Sequence, residues 1–214
     1  MNTHSTEANN GGFPPRPLSY GEQLWCRLSE AASNNGLFAI FLQGKVDPER
    51  LERALACAMQ AYPLLRARVG CNNNRPSFIF RTQAPVPLHL VPRQSEEHWR
   101  EIVETEVDDS ILPSSPLLWR ATLVSGEQHS ELLIAINHAI TDGFSIQLMT
   151  DGVLRCYAMD ENILDPMGPP PSYEDYVSNP GVLRLMIKAV PELIRQLFSS
   201  QGSVARTPRN SRAP

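Results

Sequence analysis

Asn137-His138-Ala139-Ile140-Thr141-Asp142-Gly143 gathers the residues of this chain best able to do chemistry, and it follows directly on the apolar run Leu132-Leu133-Ile134-Ala135-Ile136. The run predicts a buried strand that delivers a histidine to its C-terminal end. A helical pattern starts at Phe144, so strand passes into helix through a turn holding Asp142 and Gly143. A neutral imidazole at such a strand end is held rigidly and can face a cleft, where it can take a proton from a hydroxyl, amine or thiol. His138 is therefore the candidate general base. The competing reading is a core histidine hydrogen-bonded inside the fold. Asp142 is expected to give structural support, pairing with a buried arginine, Arg66 or Arg120, rather than moving a proton. Gly143 permits close backbone approach and an unusual φ. Asn137 is expected to satisfy backbone groups. No third and fourth ligand accompany His138 and Asp142, so no metal site is expected. Asp151-Gly152, a second Asp-Gly pair, falls inside the helical pattern and reads as a surface position.

The elements that must position these residues show as periodic segments. Ser19-Tyr20-Gly21-Glu22 has capping-box spacing and predicts a helix through about Leu28. Leu37 to Leu42 reads as a short strand. Asp47-Pro48 reads as an N-cap followed by proline at the first helical position, and the helix carries Leu51, Leu55, Ala58 and Met59 on one face before Pro63 stops it. Phe78 to Phe80 and Val86 to Val91 read as strands. Ser95 is expected to cap a helix bearing Trp99, Ile102, Val103 and Val107. Leu117 to Val124 and Glu131 to Asn137 read as antiparallel strands joined by a Ser125-Gly126 turn. A helix is expected from Phe144 to about Met159, with Ile146, Met149, Val153 and Tyr157 on one side. Helices interspersed with these strands predict an α/β sandwich with a mixed, largely antiparallel sheet.

The flanks differ in character. Residues 1–17 are polar and rich in Gly and Pro and are expected to be a disordered leader. Met167 to Pro171 reads as a linker, residues 179–199 as an amphipathic helix interrupted at Pro191, and residues 200–214 as a disordered tail. The helix's stripe, Leu183 to Leu197, fits three readings: packing on its own lobe, apolar surface awaiting a second lobe, or an interfacial helix.

Bulk properties narrow the function further. The 214 residues allow one domain or two small ones, with a real hydrophobic core. A net charge of −4, without a Lys/Arg block in the folded part, excludes nucleic acid as the main partner, because phosphate binding needs a basic face. No run of eighteen apolar residues exists, and the N-terminus lacks the apolar core of a secretory signal, so a cytoplasmic protein is expected. Cys26, Cys57, Cys71 and Cys156 form no C-x-x-C pair, and reduced, mostly buried thiols are expected.

His138 to Gly143 resembles the His-His-x-x-x-Asp-Gly motif of the CoA-dependent acyltransferase superfamily, which includes nonribosomal peptide condensation domains and chloramphenicol acetyltransferase. Further stretches agree in the same order. Pro17 to Trp25 resembles the opening motif of condensation domains, and Tyr62 to Arg68 their His-Pro-x-Leu-Arg segment. Pro116-Leu117-Leu118-Trp119-Arg120 matches the strand before the active-site strand. Asp142-Gly143-Phe144-Ser145 resembles the Asp-Gly-Trp-Ser form, and Tyr173 to Tyr176 the segment that closes the N-terminal lobe. Asn137 replaces the first motif histidine, while His138 occupies the place of the second, catalytic one. The resemblance implies one chloramphenicol-acetyltransferase-like lobe over residues 18–178. It implies acyl transfer from a CoA or phosphopantetheinyl carrier thioester to an amine or alcohol, with His138 as general base and no permanently bound cofactor. The family enzyme has two similar lobes with its substrate channels meeting between them, and nothing here resembles the C-terminal lobe or its Asp-Phe-Gly-Trp-Gly motif. An N-terminal lobe is therefore expected, completed by a separate C-terminal lobe or by homodimerisation and served by a carrier protein. The alternative is a truncated, non-catalytic lobe that binds a partner lobe, a carrier protein or an acyl chain.

Overall fold

The computed structural model describes residues 12–176. The helix and tail expected over 179–214 lie outside the described residues. The chain runs β1 (Arg16–Pro17), α1 (Tyr20–Ala31), β2 (Asn35–Gln43), α2 (Pro48–Ala61), a 3-10 turn (Pro63–Arg66), β3 (Ala67–Asn72), β4 (Arg75–Phe80), β5 (Leu88–Pro92), α3 (His98–Asp108), β6 (Trp119–Ser125), β7 (His129–Asn137) and α4 (Gly143–Met159). A second 3-10 turn spans Tyr173–Tyr176. No described helix is long and apolar enough to cross a membrane.

Local chemistry sets the helix starts. Ser19 accepts from the Glu22 amide while the Glu22 carboxylate accepts from the Ser19 amide, so the capping box is complete. Asp47 accepts from the amides of Glu49 and Arg50, and Pro48 opens α2 with its φ already suited to a helix. The far end of α2 is finished by Arg66. Its Nε donates to the Met59 carbonyl at 2.6 Å and one terminal nitrogen to the Arg81 carbonyl at 2.7 Å. The Pro-Leu-Leu-Arg stretch thus ends in an arginine that satisfies a carbonyl near the α2 terminus and ties it to the chain leaving β4.

Four strands form one sheet in the order β2-β7-β6-β5, antiparallel except for the parallel β5–β6 pair. That pair needs a crossover, which α3 supplies. β7 is a central strand, buried from Ser130 to Asn137, which explains its continuous rather than alternating apolar run. A second sheet has the order β1-β4-β3. Leu51, Leu55 and Met59 of α2 share one core with Ile146, Met149 and Val153 of α4 and with the strands beneath.

The structure departs from the sequence-based expectations at several points. Residues 12–17, assigned to the disordered leader, are placed: Phe13 meets Phe80 edge-on, and Arg16–Pro17 pairs with β4. β3 is a strand that alternation did not reveal. It forms a hairpin with β4 through Asn73 and Asn74, whose φ values of 49° and 57° suit the tight turn that favours asparagine. The N-cap of α3 is Glu97, without a side-chain cap, instead of Ser95. The buried positions of α3 are His98 and Glu106, while Val107 is exposed, because this helix turns a charged group rather than its aliphatic stripe inward. Gly152, read as surface, is buried, and a Cβ there would meet Leu164 at 3.0 Å and the Tyr62 hydroxyl at 3.3 Å.

Candidate active site

β7 ends at Asn137, and His138 is the first residue beyond it. The imidazole is half-buried between two features that the motif does not announce. On one side the indole of Trp25, from α1, lies 4.8 Å away by ring centroids, tilted by 32°. On the other is the bare backbone of Gly36 in β2, where a Cβ would stand 3.6 Å from both Cε1 and Nε2 of the ring. A larger side chain at position 36 would occupy the ring's own space. Neither ring nitrogen makes a hydrogen bond among the described residues, so both are available to a ligand.

Asn137 fixes the loop that carries this ring. It is fully buried, and its side-chain amide donates to the Ile111 carbonyl at 2.7 Å while its side-chain oxygen accepts from the Ala139 amide at 2.8 Å. Its main chain also bonds at both ends, to Leu118 and to Ile140. The expectation that Asn137 satisfies backbone groups is met. The bonding continues outward. Asn35 accepts from the Ile111 amide at 3.0 Å and donates to the Asp109 carbonyl at 2.8 Å. Arg120 then ion-pairs with Asp109 and Glu106, and Thr122 donates to the other Glu106 oxygen at 2.7 Å. This polar chain ties the end of β7 to α3 and to the neighbouring strands. Asn35, Glu106 and Trp25 escaped the sequence reading because their partners lie far away in the chain.

Asp142 corrects the expected ion pair. Its side chain is exposed and caps α4, accepting from the Ser145 amide at 2.7 Å. That hydrogen bond holds its carboxyl below the usual carboxylate range. Neither candidate arginine reaches it: Arg66 is spent on the Met59 carbonyl near the end of α2 and the Arg81 carbonyl just past β4, and Arg120 on Glu106 and Asp109. Asp142 supports the strand-to-helix turn through a cap rather than a salt bridge. Gly143 opens α4 with an ordinary φ, and a Cβ there would meet nothing within 4 Å, so the expected crowding is absent among the described residues.

Beside the His138 loop runs an apolar groove of about 220 Å³, lined by Tyr62, Leu65, Ile136, Ile140, Leu148 and Met149, with Thr141 and Ser145. Phe144 and Leu148, one helical turn apart on α4, are 70% and 53% exposed, and Met167 is 58% exposed. Leu148 and Met167 belong to the groove's lining, so its mouth presents apolar side chains to solvent.

Residues 29–180 match the family model described as the condensation domain. Chondramide synthase of Chondromyces crocatus is 27% identical over 184 residues, covering 76% of this chain and 5% of that protein. Malformin synthetase of Aspergillus vadensis is 26% identical over 138 residues, covering 64% of this chain and 3% of that protein. The solved condensation domain of the monacolin K polyketide synthase MokA superposes with a TM-score of 0.63 at 15% identity, over 94% of this chain and 46% of that one. The chain therefore spans less than half of that solved domain and a few per cent of the curated relatives. With the family match covering most of its length, and the strand-loop-helix around His138 set in the fold those domains share, this protein belongs to the condensation-domain family.

Proposed function

We propose that this chain forms one wall of a condensation-type acyl-transfer site, in which His138 is the general base. The acceptor, an amine or alcohol, attacks the carbonyl of an acyl thioester carried by CoA or by a phosphopantetheinyl carrier protein. His138 takes the acceptor's proton as the new bond forms, and the tetrahedral intermediate then collapses. The departing thiolate recovers the proton from the imidazolium, so the histidine ends as it began. The observation that carries this reading is the placement of the ring: rigid between Trp25 and Gly36, half-exposed, with both nitrogens uncommitted among the described residues. The groove beside it suits an apolar acyl chain.

The exposed edge of Phe144, Leu148 and Met167 supports a second wall, supplied by another lobe or by a second copy of the chain. General-base catalysis contributes about 10²–10⁴-fold, and holding both reactants in register contributes much of the remainder. The chain alone is therefore expected to be a poor catalyst that binds without rapid turnover. The test is thioester consumption across a panel of acyl-CoA and acyl-carrier donors, for the chain alone and mixed with a condensation-type C-terminal lobe, alongside sizing. Transfer that appears with the second lobe supports the proposal. Robust turnover by a strictly monomeric chain would overturn the two-wall requirement, and no transfer in any combination would overturn the acyl-transfer reading.

A further inference from the structure

Helices α2 and α4 pack antiparallel, and their cross-contacts define a register. Arg53 on α2 ion-pairs with Asp160 at the end of α4, at 2.8 Å. Tyr62, just past the other end of α2, meets Gly152 in the middle of α4. Stepping one helical turn forward from Arg53 reaches Cys57, and one turn back from Asp160 reaches Cys156. The register set by the flanking contacts thus brings the two cysteines face to face. After its burial, Cys156 is the next cause that pushes the Cys57 thiol up, as that register requires. The faces around them are built from small residues, Ala54, Ala58 and Ala61 on α2 and Gly152 on α4, all buried. Small side chains let two helices approach closely, as the short reach of a disulfide requires.

We propose that Cys57 and Cys156 form a redox-sensitive disulfide that staples α2 to α4. Cys57 is half-buried and Cys156 buried, so Cys57 is the thiol an external oxidant meets first. With a disulfide oxidant such as oxidised glutathione, the Cys57 thiolate attacks one oxidant sulfur and releases one glutathione thiolate. The Cys156 thiolate then attacks Cys57 in the mixed disulfide and releases the second. Two protein thiols lose two protons and two electrons, and the oxidant gains both electrons as two reduced thiols. Burial pushes the Cys57 thiol up, so the exchange quickens as pH rises. The staple closes a loop of about 100 residues, the long-loop case in which a cross-link constrains the unfolded chain most. It also holds α4, which lends Ser145, Leu148 and Met149 to the groove, against α2.

The experiment uses the full chain carrying Cys71→Ser, which removes the exposed thiol and its intermolecular cross-links. The protein is incubated with oxidised glutathione at mildly alkaline pH and then mapped as non-reduced peptides. The expected product is a cross-linked peptide pair holding Cys57 and Cys156, with two thiols consumed and a melting temperature raised by several degrees, all reversed by dithiothreitol. Adding Cys57→Ser should abolish the redox-dependent melting shift and leave the reduced protein folded. Cys57 and Cys156 both remaining free under oxidation, or a bridge mapping to Cys26, would overturn the proposal. Peptide mapping decides the matter even if the second variant folds poorly.

Discussion

His138 owes its setting to Trp25 on α1, the bare backbone of Gly36 on β2 and the buried Asn137 just before it. Gly36→Ala adds a methyl at ordinary contact distance from the ring and is expected to be tolerated. Gly36→Val should displace the imidazole and cut acyl transfer at least tenfold, while changing melting far less than activity. Asn137→Ala leaves the buried Ile111 carbonyl and Ala139 amide unpaired and is expected to cost about 1–3 kcal/mol by denaturant unfolding. Asp142→Ala removes an exposed helix cap and should cost about 0.5–2 kcal/mol, where a broken buried ion pair would cost about 3–5. Asp142→Asn should restore most of the loss, because asparagine caps equally well. Acid titration separates the wild type from Asp142→Asn. The Ser145 amide lowers the Asp142 pKa in the folded state, so its contribution is fully present above the unfolded value, about 3.9, and is lost as pH falls through the folded one. The wild type should therefore lose that stability in acid, and Asp142→Asn should not show this component. Gly143→Ala is expected to leave stability within about 1 kcal/mol, since the added methyl meets nothing within the lobe. A drop in transfer by that variant would then report crowding of a substrate or second wall.

At the scale of elements, what was legible in the sequence was what local chemistry determines. The Ser19 box and the Asp47-Pro48 start act within a single turn, so residue type and spacing suffice to place them. Ser19→Ala should cost about 1 kcal/mol of stability, measured by denaturant unfolding, because the Glu22 amide loses its side-chain acceptor while the residue-19 amide keeps the Glu22 carboxylate. β7 declared itself through an apolar run that its position inside the sheet requires. The illegible features depend on partners distant in the chain. β3 is short and only partly covered, and the small apolar residues Ala67, Val69 and Cys71 that alternate with Arg68, Gly70 and Asn72 give a weak signal, so it shows as a strand only beside β4. The burial of Glu106 on α3 was not legible because its partner Arg120 lies fourteen residues on. The candidate base was legible from its motif, but its supports were not. Nothing local marks Trp25 or Gly36 as neighbours of His138, and Arg66 looked like a partner for Asp142 until the end of α2 accounted for its donors.

Across the whole molecule, one sheet, its covering helices and a polar chain behind Asn137 set a histidine at the edge of an apolar groove. Leu148 and Met167 of that groove are exposed, as is Phe144 one turn before Leu148 on α4, which suits a second wall rather than bulk water. The central claim is that the His138 imidazole carries the acceptor's proton in the transition state. Its most direct test is the single-turnover rate of acyl transfer with the second wall present and donor saturating, compared between wild type and His138→Ala at matched folded fractions. The account predicts a loss of about 10²–10⁴-fold in that rate with little change in donor affinity or melting temperature. A His138→Ala rate within threefold or so of wild type, under the same conditions, would contradict it.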